Sequence, residues 1–313
     1  MKVVVVGPGA LGCLLAAKLS LAHNDVWLLD HDAGRAESLA ASGVFLEEDG
    51  QLLPCPIRAT ADAGLIGATE LLLLCVKSHQ LEAALVTAAP VLRQVGLLLA
   101  LANGIGHLEV LTEHCRGCFW GIGVTAQGAT LAGMGRVIHR GEGLTKIGLP
   151  PARGAEPSTP SQQKLLTAAA ATLTQAGIPT MVVDQVLPHL WGKLLVNVGI
   201  NALTAINDCP NGALLDSPGL VQLMTAAVQE AAQVAESLGI DMPGDPVTVV
   251  KDVCRATAAN LSSMLQDVRA GRRTEIESIN GAVVKLADAL GLPVPVNREL
   301  VGRVRELEEI RRL

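Results

Sequence analysis

Tyrosine is absent from this chain, and only two phenylalanines and three tryptophans occur among its 313 residues. Large aromatic side chains therefore cannot fill the interior, and the cores must be built from Ala, Leu and Val. Positive charge is sparse as well: the formal net charge is −6, and no block of Lys or Arg stands out. That lack excludes the basic footprint of a nucleic-acid binder. Long apolar runs are missing too. The stretches 71–76 and 95–102 fall far short of the roughly 20 residues that a membrane-crossing helix requires, so no membrane span is expected. No secretory leader is expected either, because a strand pattern begins at residue 3. The seven cysteines are odd in number and scattered. Cys13, Cys75 and Cys254 read as small core residues, which suits a reducing, cytoplasmic compartment. Cys115-Arg-Gly-Cys118, preceded by His114, lacks a second ligand pair at finger-like spacing, so ordinary thiols and no metal are expected.

What is present begins at the first residue. Met1-Lys-Val-Val-Val-Val-Gly7-Pro8-Gly9-Ala10-Leu11-Gly12 is a β-branched run that meets a Gly-x-Gly-x-x-Gly turn, followed by an apolar helical stretch. In that strand–turn–helix context the glycines mark a dinucleotide site. Gly7 permits the tight turn, Gly9 lets the backbone approach a pyrophosphate, and Gly12 allows close helix–strand packing. The helix start offers free N–H groups and the positive end of a dipole to the phosphates. A second strand ends at Asp30, 18 residues after Gly12, near the place of a ribose-binding carboxylate. Asp30 suits NADH and should repel the extra phosphate of NADPH. Two unit charges about 5 Å apart at an effective dielectric near 20 repel by roughly 3 kcal/mol. His31, Arg35 and Lys77 would offset that repulsion if they lie on the adenosine side; otherwise they are solvated surface residues. Both cofactors stay open on these residues.

A chain of this length fits two domains better than one. The first half alternates apolar strands with helical stretches, the rhythm of a parallel sheet covered on both faces. Ligands on such sheets bind beyond the carboxyl ends of the strands, where Lys77-Ser-His79 and Asn103-Gly-Ile-Gly106 fall. Asn103 either sits over a nicotinamide pocket or simply tolerates a left-handed turn. Residues 119–149 are expected to add strands at the sheet edge, and residues 150–163 to form a surface loop. From about residue 185 helices take over. Ser217-Pro218 and Asp245-Pro246 open two of them, with Gly239 closing the first. Thr274-x-x-Glu277 reads as a capping box, and Gly291 followed by Pro293 ends that helix. The expected organisation is a Rossmann-type doubly wound α/β domain over 1–184 and a mostly α-helical domain over 185–313. Apolar helix faces can serve either a core or a homodimer interface, and the sequence does not choose between them.

Lys193, Asn197 and Asn201 lie four apart within an otherwise apolar segment, Leu190 to Ile206. Residues at i, i+4 and i+8 share one helix face, here a polar strip roughly 12 Å long. Groups of this kind need partners when buried. Either the protein supplies them or a polar ligand does. Asn211 adds an amide beyond that helix. Glu275, just after Thr274, would have its ionised form favoured by a helix start, and could keep the Lys193 ammonium charged and oriented. The alternative for Glu275 is helix capping with surface ion pairing by Arg269, Arg272 and Arg273.

These residues resemble the ketopantoate reductases (2-dehydropantoate 2-reductases), from Met1 to about Arg305. The motifs that carry the resemblance are Gly7-x-Gly9-Ala10-Leu11-Gly12, Asn103-Gly, Trp191-Gly-Lys193-Leu with Asn197 and Asn201, Leu203-Thr-Ala, Ser263-Met-Leu-Gln-Asp, and Thr274-Glu275-Ile. The resemblance implies NADPH-dependent reduction of a small 2-keto acid, 2-dehydropantoate, to (R)-pantoate on the way to pantothenate and coenzyme A. It implies Lys193 as general acid and Asn103 in touch with nicotinamide and substrate. Asn197, Asn201, Asn211 and Ser263 would hold the substrate's hydroxyl and carboxylate. Glu275 would orient the lysine or the cofactor, and Lys77 would lie along the cofactor. One departure is Asp30-His31, where many relatives carry an arginine, which leaves NADH as an alternative. With the lysine on the helical domain and the nucleotide on the sheet domain, reaction in a cleft between them is expected, without metal or covalent intermediate. The competing functions are a reductase of the same architecture acting on another 2-keto acid, and a non-catalytic dinucleotide sensor.

Overall fold

The computed structural model describes residues 1–150, 159–242 and 244–311. They separate into two units: Met1–Ala102 with Glu109–Val186, and Asn103–Leu108 with Leu187–Leu313.

The first unit opens with β1 (Lys2–Val6), α1 (Ala10–Leu21), β2 (Asp25–Leu29) and α2 (Ala33–Ser42). Next come β3 (Val44–Glu48), β4 (Gln51–Cys55), β5 (Arg58–Thr60), β6 (Thr69–Leu74), α3 (Leu81–Leu92) and β7 (Val95–Ala100). Following α4 (His107–His114) are β8 (Trp120–Thr125), β9 (Gly128–Gly133), β10 (Arg136–Gly141), β11 (Thr145–Gly148), α5 (Pro160–Gln175) and β12 (Thr180–Val182). Eight strands form one sheet in the order β12-β11-β8-β7-β6-β1-β2-β5. Its neighbours pair in parallel except β8 with β11. Successive residues face opposite sides. Val3, Val5, Leu71, Leu73, Leu97 and Leu99 join one buried cluster, while Val4, Val6, Leu72, Leu74, Leu98 and Ala100 join the other. Burial of both faces is why these strands read as unbroken apolar runs. Strand order reverses beside β1, so the glycine turn at its end occupies the switch point of the sheet.

The stretch 119–149 departs from expectation. Only β8 and β11 extend the large sheet; β9 and β10 join β3 and β4 in a second sheet, ordered β4-β3-β10-β9. The physical reason lies in α1, whose residues Gly12 to Ala17 and Leu19 are all buried. A helix apolar all round needs cover on both sides, and the second sheet packs against α1 opposite the first. The expected loop over 150–163 is corrected at its end: residues 151–158 lie outside the described residues, but Pro160 to Gln163 open α5. Thr159 and Gln162 make a reciprocal capping box there.

The second unit contains α6 (Val186–Asn207), α7 (Pro218–Ser237), α8 (Pro246–Ala256), α9 (Ser263–Arg269), α10 (Asn280–Leu290) and α11 (Pro295–Arg311), with Val186 itself in the first unit. Ser217 and Asp245 cap α7 and α8 as their sequences foretell, accepting from Leu220 N–H (3.5 Å) and Thr248 N–H (2.9 Å). Buried amides tie three helices together. Asn280 donates to Asn297 Oδ1 (3.0 Å), and Asn297 donates to the Ala227 carbonyl (2.9 Å). The expected capping box at Thr274 does not form. The Thr274 hydroxyl accepts from Ile276 N–H (3.2 Å) in a tight turn, and Glu277 is turned to Arg305 Nε (2.6 Å). A short 3₁₀ turn over Ile276–Ser278 results, and α10 starts at Asn280. No helix among the described residues is long and apolar enough to cross a membrane.

Candidate active site

The glycine turn has the form its sequence requires. Gly7 has φ +94°, and a Cβ on Gly12 would lie 2.0 Å from the Gly7 carbonyl oxygen. By contrast, a Cβ on Gly9 would meet nothing within 4 Å. No side chain caps α1, and its first turn holds no acid. The leading N–H groups of a helix are unpaired within it, so the turn fits the pyrophosphate of a dinucleotide. Pro8, Ala10 and Leu11 complete this turn. Lys77 follows β6, one residue beyond Val76, whose Cγ1 would be met by a Cβ on Gly7 at 2.6 Å.

At the end of β2 the structure shows which residue meets Asp30. Asp30 is buried, and its carboxylate is held by a two-pronged contact with the Arg35 guanidinium, Nε to Oδ2 and Nη2 to Oδ1 (2.5 Å). Such a fork matches carboxylate geometry and is stronger than a neutral hydrogen bond. The hydrogen bond to Asp30 also holds the Arg35 pKa above its ordinary value. His31 stands 3.3 Å from Asp30 and is largely exposed. Asp30 therefore does not stand as an uncompensated charge awaiting ribose hydroxyls. The Arg35 side chain is half-exposed, and Asp32 caps α2 by accepting from Arg35 N–H (2.8 Å).

The second unit assembles a different cluster. Asn103 Nδ2 donates to Glu275 Oε2 (2.9 Å), across 172 positions of sequence. The contact is held by close backbone approach. Gly104 has φ +77°, and a Cβ there would fall 2.0 Å from the Ser278 carbonyl oxygen. Ile105 N–H donates to that same carbonyl (3.3 Å), and Ser278 Oγ donates to the Glu275 carbonyl (3.0 Å). Glu275 is 8% exposed, a poor position for a carboxylate serving only surface ion pairs. Arg269 and Arg272 turn instead to Asp208 (2.7 Å) and Asp267 (3.1 Å).

Helix α6 carries Lys193, Asn197 and Asn201 on one face, half-buried, half-buried and buried respectively. Desolvation draws the Lys193 pKa below the ordinary lysine value, and the Glu275 charge opposes that fall. The two residues thus belong to one electrostatic unit. Asn211 Nδ2 donates to Thr257 Oγ1 (2.9 Å), while its buried carboxamide oxygen has no hydrogen-bond partner. Ser263 is exposed at the start of α9, and the neighbouring Ser262 is the buried, bonded one. Ser262 Oγ accepts from Leu265 N–H (3.1 Å) and from Thr204 Oγ1 (2.7 Å), fastening α9 to α6.

One residue of this cluster escaped the sequence reading. His107 follows the Asn103-Gly-Ile-Gly106 turn directly, is 1% exposed, and has neither ring nitrogen hydrogen-bonded. A histidine directly after such a turn was the available signal. Elsewhere, burial pushes the Cys115 and Cys118 thiols up to about 12 and about 11. Glu48, His139 and Glu142 converge in the first unit, yet Lys18 already grips both Glu48 oxygens at 2.6 and 2.8 Å.

Comparison with known proteins returns one family over both units. The model described as ketopantoate reductase PanE/ApbA matches residues 3–152, and the one for its C-terminal part matches residues 185–308. A 2-dehydropantoate 2-reductase of Halobacterium salinarum is 36% identical over 308 residues, covering 97% of this chain and 98% of the relative. The crystal structure of a PanE/ApbA family ketopantoate reductase from Ralstonia eutropha JMP134 matches with a TM-score of 0.86 and 30% identity, covering 100% of both chains. A ternary structure of D-mandelate dehydrogenase with NADH and anilino(oxo)acetate matches with a TM-score of 0.90 over 100% of both chains. Its 24% identity makes that a likeness of fold alone.

Proposed function

This chain belongs to the ketopantoate reductases, a family of oxidoreductases, and from that premise we propose that it reduces 2-dehydropantoate to (R)-pantoate with NADPH, a step toward pantothenate and coenzyme A. The observation that carries the proposal is the grouping of Asn103, Lys193 and the buried Glu275, two joined by a hydrogen bond and two by charge.

When bound, the reduced nicotinamide supplies hydride to the keto carbon. Negative charge then develops on the keto oxygen, and the Lys193 ammonium answers it by delivering a proton from Nζ. Desolvation makes that ammonium a stronger acid than an ordinary lysine, while Glu275 keeps it from losing its proton before substrate arrives. Asn103, fixed by Glu275, serves the contact with ring and substrate. Asn197 and Asn201, one and two turns beyond Lys193, hold the substrate's carboxylate and hydroxyl with directional bonds that add no charge. The unpartnered Asn211 oxygen is an acceptor for the hydroxyl, and Ser263 lies at the rim.

The Asp30–Arg35 pair supports NADPH over NADH. With Asp30 neutralised, the repulsion expected of a lone carboxylate is offset, and the guanidinium offers planar donors to a 2′-phosphate. Lys77 and His31 line the same nucleotide.

The test is cofactor oxidation, with NADPH and NADH each offered beside ketopantoate, pyruvate, 2-ketoisovalerate and oxaloacetate. We expect kcat/KM for ketopantoate to exceed that for pyruvate by roughly 100-fold or more, because the site bonds a hydroxyl that pyruvate lacks. Ketopantoate turnover no better than pyruvate would assign the chain another 2-keto acid.

A further inference from the structure

His107 is placed with the chemistry yet has no part in the steps above. It sits four residues after Asn103, at the start of α4 and directly after the turn that Gly104 and Ile105 press against Ser278. That turn clusters with the second unit, the unit of Lys193 and Glu275. An ordinary core histidine bonds at least one ring nitrogen, because a buried polar atom left unpaired is penalised. Here both nitrogens are sealed from solvent and neither has a partner. Packing alone does not explain an imidazole at this position, since a leucine or phenylalanine would fill the space without that penalty.

The charge acting on the ring is that of the Lys193 ammonium, which itself feels the Glu275 carboxylate. Burial first and the Lys193 charge second push the His107 pKa down to about 4, so the ring is neutral at pH 7. A neutral imidazole has one N–H donor and one bare nitrogen acceptor. An ammonium has three donors and nothing to accept with.

We propose that His107 is a positioning residue for Lys193, presenting an uncharged nitrogen acceptor to the ammonium from directly after the turn that carries Asn103. An uncharged acceptor aims the ammonium without the grip of a second carboxylate, which would stabilise the charged form and oppose proton release. With substrate bound, one N–H of Lys193 would turn to the bare ring nitrogen, one would face Glu275, and one would be left for the keto oxygen. The inference rests on Lys193 being the proton donor.

His107→Phe keeps a planar ring without nitrogens, and His107→Gln restores an acceptor oxygen. With ketopantoate and NADPH, H107F should lower kcat roughly 10- to 100-fold, the loss expected when a reacting group is misaimed. Substrate KM and nucleotide Kd should stay within about 3-fold of the parent. The basic limb of the kcat–pH profile, where Lys193 loses its proton, should move to lower pH, because an acceptor that favours the ammonium is gone. H107Q should recover most of kcat and return the limb. Should H107F melt too early to assay, His107→Leu takes its place in the same comparison. The inference is overturned if the nitrogen-free variant matches the parent in kcat and limb, or if H107Q is no better than that variant. Lys193→Ala separates the two claims. An active K193A enzyme removes the reading of Lys193 itself, whereas an inactive K193A beside a parent-like H107F removes only the role of His107.

Discussion

The glycine turn of the first unit leaves its polar groups on the backbone, while the cluster of the second unit works through side chains, with the buried Glu275 carboxylate bonded to Asn103. Between Gly7 and Gly12 what matters is what is missing: no Cβ fits at Gly12, and none crowds Gly9. On the proposed mechanism, what matters around Lys193 is which atoms are present, since Asn103, Glu275 and His107 would act through amide, carboxylate and imidazole. The difference predicts opposite sensitivities. Nucleotide binding should be vulnerable to added bulk and indifferent to side-chain chemistry, and turnover the reverse.

The sharpest way to break that contrast is Lys193→Ala. We expect kcat to fall by about three orders of magnitude, the span of general-acid catalysis. Nucleotide affinity, read by intrinsic Trp fluorescence, should stay unchanged. A matching loss of nucleotide binding would mean that the two centres are not separable. Gly12→Ala comes next and inverts the readout. Its Cβ would press 2.0 Å from a backbone oxygen that cannot move aside cheaply. Overpacking of this kind destabilises by about 3 kcal/mol, and the nucleotide should bind about 100-fold more weakly for a loss of that size. A Gly12→Ala protein that melts and binds like its parent would show that the helix can retreat from β1.

The ease of reading these centres from sequence follows the same division. Gly7, Gly9 and Gly12 were legible because a tight turn is a local event in six residues. The row Lys193, Asn197 and Asn201 was legible because helical periodicity is local too. The tie from Asn103 to Glu275 spans 172 positions, and no local pattern encodes it. The parallel pairing of β10 with β3 was hidden for the same reason. Thr274 misled because a hydroxyl serves a tight turn as readily as a helix cap. Arg35 was named as a residue that could offset the Asp30 charge; that its guanidinium grips the carboxylate directly required the geometry.

Two smaller perturbations refine the comparison. Glu275→Gln keeps an oxygen for Asn103 but removes the charge that opposes the depression of the Lys193 pKa. The lysine should lose its proton at lower pH, moving the basic limb of kcat down. We expect kcat at pH 8 to fall about 30-fold, within the range for loss of one charge-assisted interaction. An unmoved limb would show that Glu275 acts by shape alone. Arg35→Ala exposes Asp30 to whatever the nucleotide brings. The Kd for NADPH should rise about 10-fold, the loss of one charged contact partly screened by solvent. NADH should change little, and equal weakening of both would mean that Arg35 supports the fold of β2 and α2 instead.

The smallest effect on function at neutral pH is a matter of stability in the second unit and comes from His107. Its ring is 1% exposed, with a folded pKa of about 4 against an ordinary 6.5. Between those values the unfolded chain takes up a proton that the folded chain refuses, so stability rises with pH across this window. The contribution is fully present above about pH 6.5 and drains away as pH falls toward 4. The loss should be about 1 kcal/mol by pH 5.5, rising to about 3 kcal/mol near pH 4. Thermal melts of the parent should therefore shift down by a few degrees between pH 7 and pH 5.5, and those of H107F should shift less. Equal shifts in the two proteins would place the acid sensitivity elsewhere. The glycine turn, which has no titrating side chain between Gly7 and Gly12, should feel none of this, and nucleotide affinity measured across the same window is the control that separates the two centres.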